Sequence, residues 1–209
     1  MSKLSTAETM SSFVLGLTGG IATGKTTAVH VFEKYGFPIV DGDKIAREVV
    51  EPGTPGLAAV VQHFGKDILN EDGTLDRKKL GKIVFSDPEK REQLNRILNS
   101  YIRTSIKDNI QKAKQASPLV IVDIPLLYEG HYDKYMDQTA VVYLPEEKQL
   151  QRLMARDGFT REEAMQRVES QMPIEEKKRK ADILFDNQQT KDKLAEQIIS
   201  WLQENKFIS

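Results

Sequence analysis

The sequence predicts an α/β fold in which helices flank a parallel β-sheet and a helical segment interrupts it. A βαβ pattern opens the chain, a stretch of about 75 residues without strand character follows, and short apolar strands resume after it. The chain has 209 residues, 39% hydrophobic and 29% charged, which is enough to bury the core of such a domain.

The βαβ pattern covers residues 13–41. A mostly apolar run at 13–18 predicts a strand, and a helical stripe then begins near Lys25 and ends at Tyr35, with Gly36 as its C-terminal cap. Residues 38–41 predict the second strand. This order of elements implies a parallel sheet with a right-handed crossover.

The middle of the chain is predicted to be helical. Its periodicity indicates helices at 44–50, 57–64, 76–85 and 88 to about 116. Since a connection this long forms a structure of its own, we expect residues 44–117 to be a helical subdomain inserted into the sheet.

The remaining elements complete the sheet and add a helical pair. Strands are predicted at 119–123, 140–144 and 183–185, and helices at 146–156, 161–171 and 191–203. We interpret the basic run Lys177–Lys180 as a solvated connection between the helical pair and the sheet.

Composition excludes several classes of protein. The absence of cysteine excludes disulfide frameworks, thiolate nucleophiles and cysteine-bound metals, and the formal charge of −1 argues against a nucleic-acid binder. No apolar stretch is long enough to span a membrane, and the polar residues 1–12 are most simply an extension. We expect a soluble, cytoplasmic protein without a membrane or nucleic-acid partner, and a monomer is favoured over an oligomer.

Residues Gly19–Thr26 match the phosphate-binding pattern G-x-x-x-x-G-K-[ST], placed between a strand and a helix as the P-loop requires. Its backbone N–H groups and the helix N-terminus bind phosphate oxygens. Lys25 can bridge the β- and γ-phosphates, and the hydroxyl of Thr26 can ligate Mg²⁺. The strings D-x-x-G and N-K-x-D of switch GTPases are absent. A small phosphotransferase is therefore favoured over a nucleotide-dependent switch or binding module.

Two groups of residues leave alternatives open. Asp43 follows the second strand, where it can act as general base toward an attacking hydroxyl or only cap the next helix. Arg152 and Arg156 share one face of the helix predicted at 146–156, with Arg161 and Arg167 following in a segment that could close over a nucleotide as a lid. They can stabilise a transferred phosphoryl group or form a solvated surface paired with nearby glutamates.

A set of short stretches spans nearly the whole chain from Phe13: Leu17–Ile21, Asp41–Arg47, Val49–Gly53, Phe64–Gly65, Asp72–Arg77, Asp123–Glu129, Arg152–Asp157, Gln171, Ala181–Asp182 and Asp186–Asn187. In these stretches and in their order, the chain resembles the dephospho-CoA kinases.

The resemblance implies a single P-loop NTPase-type kinase domain over residues 12–209. Its nucleotide-binding core would be 12–43, 118–145 and 181–209, with a CoA-binding subdomain at 44–117 and a lid at 146–180. It implies phosphorylation of the 3′-hydroxyl of dephospho-CoA by ATP with Mg²⁺, or an activity on another nucleotide or nucleoside as the alternative.

The resemblance also implies roles for individual residues. Asp43, Lys25 and Arg152 would be catalytic. ATP would bind Gly20, Ile21, Ala22, Thr23, Gly24, Lys25, Thr26, Thr27, Arg152 and Asn187, the last near the adenine. Dephospho-CoA would bind Thr18, Asp43, Arg47, Pro125, Leu126 and Leu127.

Two positions depart from the family's usual pattern. Ala22 replaces a glycine of the phosphate loop, which suits the loop only if the backbone angles there are ordinary. Asn99-Ser100 replaces a His-Pro pair, which removes an imidazole and a helix break. Asp123 is not uniform in the family and is not counted as an essential metal ligand.

Overall fold

The computed structural model describes residues 12–85 and 87–209, so the predicted N-terminal extension lies outside it except for Ser12. The strands are β1 (Phe13–Gly19), β2 (Ile39–Asp41), β3 (Leu119–Asp123), β4 (Gln138–Tyr143) and β5 (Ile183–Asp186). They form one sheet in the order β2-β3-β1-β4-β5. The β1–β3, β1–β4 and β4–β5 pairings are all parallel, which confirms the predicted sheet type.

The helices confirm the predicted pattern and add one element. They are α1 (Lys25–Lys34), α2 (Gly42–Glu48), α3 (Pro55–Phe64), α4 (Arg77–Phe85), α5 (Pro88–Lys114), α6 (Glu146–Asp157), α7 (Arg161–Glu169), α8 (Ile174–Lys180) and α9 (Lys191–Glu204). The short helix α8 was not predicted. Across residues 12–85 and 87–209, no helix has the length and apolarity needed to cross a membrane.

One face of the sheet packs against α1 and α9. Leu15 and Leu17 of β1 are buried there together with Phe32 of α1 and Ile198 of α9. Trp201 of α9 is partly buried and packs against this core. Because side chains alternate along a strand, Gly16 and Thr18 of β1 face the opposite side. Burial on both faces holds β1 rigidly, and with it the loop that leads into α1.

The chain divides into two compact units, one of residues up to Val40 and from Ile110 onward, the other of Asp41–Asn109. The second unit has its own apolar core, which includes Val60, Ile68 and Leu80. Helix α5 continues without a break through Asn99-Ser100, as expected where no proline interrupts it. The bounds of the core, subdomain and lid given above stay predictions.

Candidate active site

The phosphate loop, Gly19–Thr26, connects the end of β1 to the start of α1. Gly24 stands at the N-cap of α1 with φ of 94°, and no side chain of the described residues caps the helix there. Its first N–H groups are therefore available to an anion. Inside the loop, the buried hydroxyl of Thr23 donates to the carbonyl oxygen of Gly20 at 2.9 Å, while Thr26 is exposed.

Lys25 points toward the neighbouring strand β3. Its Nζ lies 2.5 Å from Oδ1 of Asp123, and both side chains are largely buried. The parallel register that pairs Leu17 with Asp123 brings the two charged groups together at the carboxyl ends of β1 and β3. The sequence assigned no definite role to Asp123; the structure makes it the partner that neutralises Lys25.

Ala22 does not have ordinary backbone angles. Its φ is 59°, in the left-handed region, which costs a residue with a Cβ atom about 1–2 kcal/mol. Ala22 and Ile21 pack against an apolar cluster of α6 and α7, and this contact offsets part of the strain. The buried members of the cluster are Leu150, Leu153, Ala164 and Val168. The loop thus keeps its conformation at the position where the family usually has glycine.

Asn187 holds the backbone of the phosphate loop in place. The residue follows β5, is only 3% exposed, and donates from Nδ2 to the carbonyl oxygen of Thr23 at 2.7 Å. Within the part of the chain that the structure describes, its Oδ1 has no hydrogen-bond partner. Its placement near the adenine of ATP stays a prediction.

Replacing Gly24 with Ala should weaken ATP binding at least about tenfold, the equivalent of one lost hydrogen bond to a charged group. An added Cβ would collide with Nδ2 of Asn187, and the left-handed backbone at Gly24 would be strained as well. Titration calorimetry with a non-hydrolysable ATP analogue measures the change.

Gly158→Ala is the matched control. Gly158 also has a positive φ, but a Cβ there would meet nothing within 4 Å. This variant should lose about 1–2 kcal/mol of stability, the cost of a Cβ in the left-handed region, and keep its ATP affinity. Equal ATP affinity in both alanine variants would contradict the described role of Asn187.

The arginines of the helical pair α6 and α7 separate into two kinds. Arg152, half-buried, donates from Nη2 to the carbonyl oxygen of Asn187 at 3.0 Å, and thus lies beside the phosphate loop. The exposed ones have partners on the pair itself: Arg156 binds Asp157, Arg161 binds Glu147, and Arg167 stacks on Phe159. The hydrogen bonds of Arg156 also hold the pKa of Asp157 below its usual range. The solvated-surface alternative therefore describes these three, and Arg152 is the one that reaches the site.

The segment after β3 forms the other side of the site in this unit. The buried hydroxyl of Thr18 donates to the carbonyl oxygen of Pro125 at 2.9 Å, so Thr18 holds the segment in place. Leu127 is buried against the sheet, and a Cβ at Gly16 would meet its side chain. Leu126, by contrast, is 46% exposed and available for contact with a ligand.

Asp43 and Arg47 lie in the unit of residues 41–109. The cap of α2 is Asp41, whose Oδ1 accepts from the backbone N–H of Lys44 at 3.0 Å. The helix begins earlier than predicted, and the alternative that Asp43 is its cap is wrong. Asp43 and Arg47 both have exposed side chains on α2.

The interpretation of Lys177–Lys180 as a solvated connection is wrong for its first residue. Lys177 is completely buried, and its Nζ lies 2.9 Å from Oε1 of Glu129. It faces inward because Ile174 and Lys177, three residues apart, share the buried face of α8. This spacing is the signal that could have identified it, although a run of basic residues is more typical of a surface.

A parallel sheet with a phosphate loop, a lysine at its carboxyl edge and an arginine of α6 beside the loop defines a P-loop kinase of a small molecule. A family model described as dephospho-CoA kinase matches residues 13–193. The chain belongs to the dephospho-CoA kinase family.

Individual relatives agree with this assignment. The dephospho-CoA kinase of Enterococcus faecalis is 58% identical over 91% of this chain and 96% of its own length. The solved dephospho-CoA kinase of Campylobacter jejuni has a TM-score of 0.73 and 30% identity, over 92% of this chain and 96% of that one. TT1252 from Thermus thermophilus has a TM-score of 0.78 at 28% identity, over 93% of this chain and 98% of that one.

Proposed function

We propose that the chain transfers the γ-phosphoryl group of ATP to the 3′-hydroxyl of the dephospho-CoA ribose, giving coenzyme A and ADP. The observation that carries the proposal is the phosphate loop with Lys25 held at the carboxyl edge of the sheet, in a chain of the dephospho-CoA kinase family. Action in the cytoplasm and as a monomer stays a prediction from the sequence.

Two cationic side chains, Lys25 and Arg152, stabilise the transferred phosphoryl group. Lys25 exchanges Asp123 for phosphate oxygens when ATP occupies the loop, and Arg152 reaches the same phosphates from the lid. Charge spreads over the phosphoryl oxygens in the transition state, where fixed cations in a dry site stabilise it most. The packing of Ile21 and Ala22 against α6 and α7 supports this role, because it holds Arg152 beside the loop.

Asp43 accepts the proton of the attacking hydroxyl. The assignment is supported by its place just after β2 and by its freedom from the capping role, which Asp41 fills. A carboxylate in this role also orients the hydroxyl toward the phosphorus atom.

The residues present fit a Mg²⁺ ion bound with ATP. The hydroxyl of Thr26, exposed in the first turn of α1, would hold it together with phosphate oxygens and water, the ligands that Mg²⁺ prefers. When bound, the ion neutralises charge on the β- and γ-phosphates.

Mass spectrometry of dephospho-CoA incubated with the protein and Mg-ATP tests the proposal. We expect a gain of one phosphate on dephospho-CoA and no comparable gain on other nucleotides or nucleosides. Phosphorylation only of another nucleotide or nucleoside would identify a different kinase. The absence of phosphoryl transfer to any acceptor would indicate a binding module.

A further inference from the structure

Lys177 carries a buried charge that the proposed mechanism does not use. Its side chain is 0% exposed, in an ion pair with Glu129. Burial lowers the pKa of Lys177, and the Glu129 carboxylate opposes that shift. A side chain buried only for packing is usually apolar, because removing an ammonium group from water is costly even when it is paired. We therefore expect the buried charge of Lys177 to have a function beyond packing.

The ammonium group of Lys177 joins two loops of the site. It donates to the carbonyl oxygen of Pro125 at 2.8 Å and, at a longer 3.4 Å, to that of Gly19. Gly19 opens the phosphate loop, and Pro125 opens the segment that contains the exposed Leu126. With Glu129 as the third acceptor, all three N–H donors of the ammonium group have partners.

The residues just before α8 contact the same two segments, the phosphate loop and the segment after β3. Oε1 of Gln171 accepts from the backbone N–H of Ile21 in the phosphate loop at 3.0 Å. The backbone N–H of Met172 donates to Oε1 of Glu129 at 2.9 Å. The end of the lid is thus bonded both to the phosphate loop and to the segment after β3, with Lys177 at the buried centre.

We propose that Lys177 is a positioning residue for phosphoryl transfer, which fixes the phosphate loop at Gly19 relative to the segment Pro125–Leu127. The role rests on the proposed function and on the contact of that segment with dephospho-CoA that the family resemblance implies. Thr18 holds Pro125 from the side of β1, and Lys177 holds it from the side of the lid. Misplacement of reacting groups by about 1 Å can slow a reaction by about 100-fold. Loss of the hydrogen bonds from Lys177 to Gly19 and Pro125 should therefore lower kcat.

The test compares Lys177→Met with the double variant Lys177→Met/Glu129→Gln. The single variant leaves the carboxylate of Glu129 without its cation and should lose both stability and activity. The double variant removes both charges, so its melting temperature should return toward that of the wild type. Its kcat with dephospho-CoA should nevertheless stay about 10–100-fold low, with the KM for ATP changed less than about threefold.

Lys180→Met is the matched control, because Lys180 is exposed on the same helix. It should keep the wild-type kcat and melting temperature. A stable double variant with wild-type kcat would overturn the positioning role and leave Lys177 as a structural charge. A wild-type protein that does not phosphorylate dephospho-CoA would overturn the proposed function and, with it, this inference.

Discussion

Replacing Asp43 with Asn should lower kcat about 10²–10⁴-fold, as the loss of a general base does. The amide keeps the size of the side chain and its place on α2 but cannot accept the proton of the hydroxyl. ATP binding should persist, because the phosphate loop is formed by other residues. Steady-state kinetics with dephospho-CoA gives kcat, and calorimetry with a non-hydrolysable ATP analogue gives the affinity.

Asp41→Asn is the control for this substitution. Asp41 caps α2 through Oδ1, and asparagine caps helices about as well as aspartate. The control removes a carboxylate two residues away while preserving the helix, and it should keep nearly full activity. Near-normal turnover in Asp43→Asn would mean that Asp43 is not the base.

Replacing Arg152 with Ala should slow phosphoryl transfer about 10²–10³-fold, the effect of removing one preorganised donor from a transition state. The loss of stability should be small, since one hydrogen bond to the carbonyl oxygen of Asn187 is removed. Single-turnover kinetics at saturating ATP isolates the transfer step, and thermal unfolding reports stability.

Arg156→Ala provides the comparison on the same helix. Arg156 is exposed and bound to Asp157, and surface pairs of this kind contribute little to stability. This variant should transfer phosphate at nearly the wild-type rate. Unchanged activity with a lower melting temperature in Arg152→Ala would assign Arg152 to structure instead of catalysis.

The sheet and the phosphate loop could be predicted from sequence because their signals are local. The first four residues of β3 form an apolar stretch, as expected for a strand with both faces covered, and all four are buried. Gly19–Thr26 combines a motif with the strand and helix that its chemistry requires. Such signals predict the structure well because each depends on what its own segment must bury or bind.

The remaining features depend on contacts between distant segments. The positive φ of Ala22 arises inside a loop held by the Thr23–Gly20 hydrogen bond and packed against α6 and α7. The pairing of Lys177 with Glu129 joins residues that are far apart in the chain. The spacing of Ile174 and Lys177 signals a buried face but does not identify Glu129 as the partner, and the alanine in the loop carries no local signal for its contacts.

The position of the phosphate on the product is the most direct test of phosphoryl transfer to the 3′-hydroxyl of dephospho-CoA. Dephospho-CoA is converted with the wild-type protein and Mg-ATP, and the product is examined by ¹H–³¹P correlation NMR. We expect a new phosphorus signal coupled to the ribose proton on C3′. A new phosphorus signal coupled to a different ribose proton, or a product without a new phosphate, would contradict phosphorylation of the 3′-hydroxyl.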